Sequence, residues 1–136
     1  MSDTMALLFP YEAVTGAIVV RVAVSYLPEQ SAPLQDRWFW SYHVRIENQG
    51  GTSVQLLARH WKITDGHGQV HEVKGQGVVG DMPLIGPAES YDYVSGCPLD
   101  TPRGQMEGSY SLVDGNGNPI EAAIPLFHLV APTHTN

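Results

Sequence analysis

The fold of this chain is constrained most by a two-residue alternation of apolar and polar side chains, broken repeatedly by turn residues. Between positions 38 and 47, every even-numbered residue is aromatic or aliphatic, whereas most odd-numbered residues are polar or charged. Such alternation places one face of a β-strand against a core and the other toward solvent. No window of useful length shows a helical period, so the chain is predicted to be all-β.

Seven strands are predicted, each bounded by residues that favour turns. The fourteen Gly and ten Pro residues are scattered along the chain, as many short strands joined by tight turns require. Asp65 and Gly66 predict a hairpin, because both residue types tolerate the positive φ of hairpin turns. The predicted strands cover residues 18–25, 38–47, 54–63, 70–74, 90–96, 106–112 and 120–129, with a short extended piece at 83–85.

About seven short antiparallel strands are typical of an immunoglobulin-like or fibronectin type III-like β-sandwich, with a small barrel as the alternative. A chain of 136 residues has room for one domain with one core, here residues 1–136. The folded core is expected over about residues 17–132. Residues 1–13 and 131–136 are expected to be loose tails.

Composition and charge exclude several classes of partner. A formal net charge of −7, with only seven Lys and Arg residues, argues against nucleic acid, since such binding needs surplus cations. The N-terminus has no basic region ahead of an apolar run, and the apolar segment at 17–24 is too short to span a bilayer. A cytoplasmic protein without membrane attachment is therefore expected. Self-association is left open.

The spacing of Gly75, Gly77 and Gly80 matches the Gly-x-Gly-x-x-Gly motif of dinucleotide-binding loops. Such a loop must lead into a helix, whose N-terminus receives the pyrophosphate. Residues 81–87 contain two prolines and cannot form a helix of useful length. The preferred interpretation is structural: these glycines permit positive φ and a close crossing of chains.

An anion site is the alternative interpretation of this loop. If Gly66 and His67 form a two-residue turn, Arg59 lies opposite Lys74, directly before Gly75. Like charges that face each other across strands are unfavourable, so an anion would relieve the pair. The hypothesis predicts binding of pyrophosphate or a diadenosine polyphosphate at Arg59, Lys74, Gly75, Gly77 and Gly80.

Trp38, Phe39 and Trp40 are consecutive, so alternation must place aromatic rings on both faces of one strand. An exposed aromatic ring beside an acidic surface is typical of a protein-binding patch. The three residues are therefore the candidate protein-interaction residues. The alternative is that all three complete the core.

No catalytic, metal or cofactor site is predicted. The six histidines show no two-histidine motif of metal-ligand spacing, and solvated or hydrogen-bonded rings are expected instead. Cys97 is the single cysteine, so no internal disulfide and no thiolate zinc site can form. It has no neighbouring base, and a buried apolar role is expected for it. We therefore expect a protein that is not an enzyme.

Several segments resemble the ApaG family, and the resemblance extends over about residues 17–132. They are Leu56–Gly66, Val73–Gly80, Pro83–Ile85, Tyr93–Leu99, Met106–Tyr110 and Ile124–Phe127.

The resemblance implies a fibronectin type III-like sandwich, in agreement with the strand pattern. It also implies a link to cobalt and magnesium homeostasis, because bacterial members resemble proteins with that link. Members are encoded near a diadenosine tetraphosphate hydrolase. Related domains occur in an F-box protein and in a DNA-polymerase-associated protein, which implies protein recognition. We therefore expect a protein–protein interaction module, with divalent-cation homeostasis or nucleotide binding at the glycine loop as alternatives.

Overall fold

The computed structural model describes residues 3–132 and contains two antiparallel β-sheets packed face to face. One α-helix precedes nine strands, and two short 3-10 turns lie at 28–30 and 33–35. The elements are α1 (Asp3–Leu8), β1 (Tyr11–Thr15), β2 (Ile18–Tyr26), β3 (Trp38–Asn48), β4 (Val54–Asp65), β5 (Val70–Gln76), β6 (Leu84–Ile85), β7 (Ser90–Leu99), β8 (Arg103–Asp114) and β9 (Pro119–Val130).

The first sheet has the strand order β1-β2-β3-β7, and the second has the order β5-β4-β8-β9. The two-residue β6 pairs with the N-terminal end of β4, on the same side of β4 as β5. All of these pairings are antiparallel. The two-sheet arrangement confirms the predicted β-sandwich.

The core lies between the sheets and is built by the alternation seen in the sequence. On β3, the even-numbered side chains from Trp40 to Ile46 are buried, while the odd-numbered ones remain partly exposed. At the centre, the ring of Tyr42 contacts those of Trp61 and Phe127, with centroids 5.3 and 5.9 Å apart. Burying an apolar side chain of this size stabilises the fold by about 1.5–3 kcal/mol.

Two hairpins use the same three-residue turn, at Asp65 and at Asp114. In each, the Asp Oδ1 accepts the backbone N–H groups two and four residues later. Gly68 and Gly117 occupy the left-handed position, with φ of 85° and 83°. This is a type I turn followed by a bulge residue that requires positive φ, for which glycine is favoured.

The N-terminal segment is more ordered than the sequence predicts. Tyr11–Thr15 forms β1 and pairs with β2, because the edge of β2 is free to take a partner there. At the other end, Ala131 is buried and its N–H donates to the carbonyl of Pro102. The expectation of loose tails is wrong for residues 3–13 and for Ala131, and residues 1–2 and 133–136 lie outside the described residues. No helix in the described part is long and apolar enough to cross a membrane.

Candidate binding cleft between the two sheets

A cleft of about 920 Å³ opens between the two sheets, on the side where β5 and β7 are the edge strands. The inner face of β5, including His71 and Val73, faces this cleft and remains exposed. The first sheet therefore does not cover the inner face of β5. Within residues 3–132, the outer edges of β5 and β7 have no strand partner.

Aromatic and aliphatic side chains form most of the cleft wall. β3 and β7 supply one side, and β4, β5 and β8 supply the other. Most of these residues are on the inner faces of the sheets, whereas Phe39 and its partner Pro98 lie on the outer face of the first sheet. The apolar and aromatic lining residues are Trp38, Phe39, Tyr42, Trp61, Ile63, Val73, Cys97, Pro98, Leu99 and Met106. Such a surface favours an apolar ligand.

Arg59 is the cation on the β4 wall of the cleft. Its side chain lies across Gly75, the residue opposite it on β5, where an added Cβ would be 2.9 Å from the guanidinium carbon. Its Nη1 donates to the carbonyl oxygens of Gln76 at 3.0 Å and Gly77 at 2.9 Å. Arg59 therefore holds the start of the glycine loop, and Gly75 provides the space that this requires.

Buried hydroxyl groups lie beside Arg59. The hydroxyls of Tyr93 and Tyr110 are hydrogen-bonded to each other within the core. Burial raises the pKa of both groups, and the charge of Arg59 opposes only part of the rise. Burial also raises the pKa of the Cys97 thiol to about 11. These groups are neutral at physiological pH, and the thiolate needed for nucleophilic attack is scarce.

The opposite end of the cleft is acidic. Asp65 is buried there, and burial alone would raise the pKa of its carboxyl. The backbone N–H groups of Gln69 and His67 donate to its Oδ1 and keep the pKa below its ordinary value. The ring of His71 lies 3.7 Å from the other carboxylate oxygen.

The hairpin register separates the two cations predicted to bind an anion. Because the turn has three loop residues instead of two, Arg59 pairs with Gly75, while Lys74 pairs with His60. Neighbouring residues of a strand point to opposite faces, so Lys74 lies on the outer face and Arg59 on the inner face. The predicted juxtaposition of Arg59 and Lys74 is wrong.

The remaining glycines of the loop have conformational roles. Gly77 has a φ of 62°, and an added Cβ would overlap the carbonyl oxygen of Asp81. Gly80 has a φ of 83° in a tight turn, and strand β6 follows where a dinucleotide site requires a helix. These features agree with the structural interpretation of the motif. Anion binding at this loop stays a prediction.

The aromatic triplet does not form an exposed patch. Trp40 is only 1% exposed, and its Nε1 donates to the carbonyl of Val130. Trp38 and Phe39 are partly buried and line the cleft. Trp38 and Trp40 share the inner face of β3. Trp40 is a core residue, whereas Trp38, at the start of the strand, is only partly buried and belongs with Phe39 to the candidate site.

Within residues 3–132, no three His, Cys, Asp or Glu side chains converge as metal ligands would. The histidines that approach carboxylates do so in separate places. These pairs are His43 with Asp92 at 2.7 Å, His60 with Glu72 at 2.7 Å and His71 with Asp65 at 3.7 Å.

The sequence matches the family model described as the ApaG domain over residues 28–114. The chain belongs to the ApaG family. Protein ApaG of Afipia carboxidovorans is 52% identical over 122 residues, which are 90% of this chain and 94% of that relative. Protein ApaG of Rhodospirillum centenum is 50% identical over the same shares.

A solved structure shares the family fold. The structure of a protein named ApaA from Bordetella pertussis superposes with a TM-score of 0.83 at 48% identity, covering 86% of this chain and 95% of that one. Every residue that lines the cleft lies within the ApaG-domain match at 28–114. The cleft is therefore part of the domain that defines the family.

Sequence reasoning missed most of the cleft. Arg59, Trp38 and Phe39 were candidate residues, but Tyr42, Val73 and the other lining residues were not. The two-residue period indicates which residues of β5 share a face with Val73. It does not indicate that the opposing sheet ends before it covers them.

Proposed function

We propose that this ApaG-family chain is a non-catalytic module that binds an extended, apolar segment of a protein partner in the cleft between β5 and β7. The observation that carries the proposal is the cleft itself, about 920 Å³ in volume and lined mainly by apolar and aromatic side chains. Folded proteins seldom leave such a surface facing solvent unless it binds something.

The shape of the cleft favours an extended chain. Its β4 wall runs from Arg59 to Asp65, a length of about 20 Å at 3.3 Å per strand residue. That length accommodates about six residues of extended peptide. The free edges of β5 and β7 also carry unpaired backbone groups, which an added strand can use.

The buried thiol and tyrosine hydroxyls near Arg59 support a binding role over a catalytic one. The Cys97 thiol has a pKa of about 11, and burial raises the pKa of the neighbouring tyrosine hydroxyls. General acid–base catalysis works best with groups whose pKa lies near the working pH. A cytoplasmic location is part of the same proposal, since an unpaired cysteine suits a reducing compartment.

The proposal is tested by placing a large side chain on the cleft-facing side of β5. Val73 faces the cleft and is 40% exposed, whereas Val70 lies on the outer face of β5 and is 48% exposed. Val73→Trp should weaken binding of hexapeptides from a random library by about tenfold or more, the loss expected for about 1.4 kcal/mol. The matched Val70→Trp variant should bind as the original chain does.

Two results would contradict the proposal. One is the absence of any retained hexapeptide, with circular dichroism showing that the protein is folded. The other is concentration-dependent dimerisation in sedimentation that Val73→Trp abolishes, because a second copy of the chain would then occupy the cleft.

A further inference from the structure

Arg59 has unused hydrogen-bonding capacity in the cleft. Its Nη1 is engaged by two backbone carbonyls, while Nε and Nη2 have no hydrogen-bond partner within residues 3–132. No carboxylate of that part of the chain lies within 4 Å of the guanidinium. Nε and Nη2 lie on one edge of a planar group and are spaced to bind both oxygens of a single carboxylate.

The cleft is closed at the Arg59 end. Along β4, Arg59 is the first residue that lines the cleft. Beyond it, the space between the sheets is filled by Leu56, Val78 and Ile85, all of which are buried. An extended chain that enters from the Asp65 end therefore cannot continue straight between the sheets past Arg59, and it would have to turn out across the edge of β5 or β7.

The two ends of the cleft carry opposite charge. Three carboxylates line the open end, those of Asp36, Asp65 and Asp100, together with Arg37 and His71. The closed end has a cation instead. A peptide with a negative end inside and a neutral or basic portion at the mouth complements this distribution.

We propose that the cleft receives the C-terminus of its protein partner, whose terminal carboxylate binds Nε and Nη2 of Arg59. The preceding apolar residues lie along the aromatic walls, so the inference rests on the proposed function. A chain terminus fits a closed end without bending, whereas an internal segment would have to turn out between the edges of β5 and β7. Bidentate arginine–carboxylate pairing provides both affinity and direction.

Three hexapeptide libraries test this assignment, each with an acetylated N-terminus and apolar residues at random. The first has free C-terminal carboxylates, the second has C-terminal amides, and the third has amides preceded by Glu. Peptides of the first library should be retained by the protein at least about tenfold more strongly than their amides. In labelled protein, the Arg59 Nε–H signal should shift with the acids and not with the amides.

Two variants that each remove one positive charge test whether Arg59 is the group that binds the terminal carboxylate. Arg59→Gln should abolish the preference for acids over amides, and Lys74→Gln, which removes an equal charge from the outer face, should preserve it. The acid–amide comparison in the unaltered protein does not depend on how Arg59→Gln affects the glycine loop.

The outcomes separate this inference from the proposed function. Equal retention of acids and amides, lost in Val73→Trp, would overturn the terminal-carboxylate assignment and leave the binding function intact. Retention of the Glu-amide library at the level of the acids would assign the site to an internal carboxylate and would also overturn it. Failure of all three libraries would refute both proposals.

Discussion

Replacement of Val79 by Asn should stabilise the protein. Val79 and Gly80 are the central residues of a tight turn, in which Val78 and Asp81 exchange two backbone hydrogen bonds of 2.8 Å. Both central residues have positive φ, 47° and 83°, as a type I′ turn requires. A β-branched side chain is strained in that region, and Asn is favoured there.

The expected magnitude follows from two opposing contributions. Left-handed backbone costs a residue with a Cβ roughly 1–2 kcal/mol, most of which Asn relieves. Val79 is 65% exposed, so about a third of its side chain is buried, and losing that contact costs about 0.5 kcal/mol. The net gain is about 1 kcal/mol, which raises the Tm of a domain of this size by about 4 °C.

Urea and thermal unfolding of Val79→Asn measure this gain, with Val94→Asn as the matched control. Val94 is 61% exposed and lies in strand β7, where φ is not positive. The control should lose stability slightly, because Asn is disfavoured in strands. If Val79→Asn is no more stable than Val94→Asn, the assignment of strain to Val79 is refuted.

Two further predictions concern the same fold. Gly77→Ala should lower the free energy of unfolding by about 2–4 kcal/mol, because its Cβ would overlap the carbonyl of Asp81. Gly117→Ala, with a similar positive φ but open space around it, should cost about 1 kcal/mol in the same urea titration. Tyr93→Phe leaves the buried Tyr110 hydroxyl without its partner and should cost about 1–3 kcal/mol. The double change to Phe at both positions should cost less than the sum of the single changes, and additive costs would contradict the pairing.

The elements that local patterning controls were predicted well. The alternation from Trp38 to Glu47 became β3, and the turn signals at Asp65 and Asp114 became hairpins. The prediction was less accurate for segments that become ordered only by pairing with a neighbouring strand. β1 is five residues long, and it is ordered by the adjacent edge of β2.

The candidate site was only partly predictable, because it depends on register. One additional loop residue at Gly68 moves Lys74 to the outer face and brings Gly75 beneath Arg59. Trp40, which the sequence does not distinguish from Trp38, is buried and donates to the carbonyl of Val130, whereas Trp38, on the same face of β3, is only partly buried. Such contacts depend on distant strands, and no local pattern specifies them.

The sequence by itself determined that this chain forms short strands joined by glycine-rich turns, and it identified the ApaG family. Side-chain period and turn chemistry act over a few residues, so they can be read along the chain. The tertiary structure decided which strands share a sheet and left the inner face of β5 without a covering strand. The cleft arises because the first sheet does not extend far enough to cover β5. The relative extent of two packed sheets is set by tertiary packing, and no local sequence pattern encodes it.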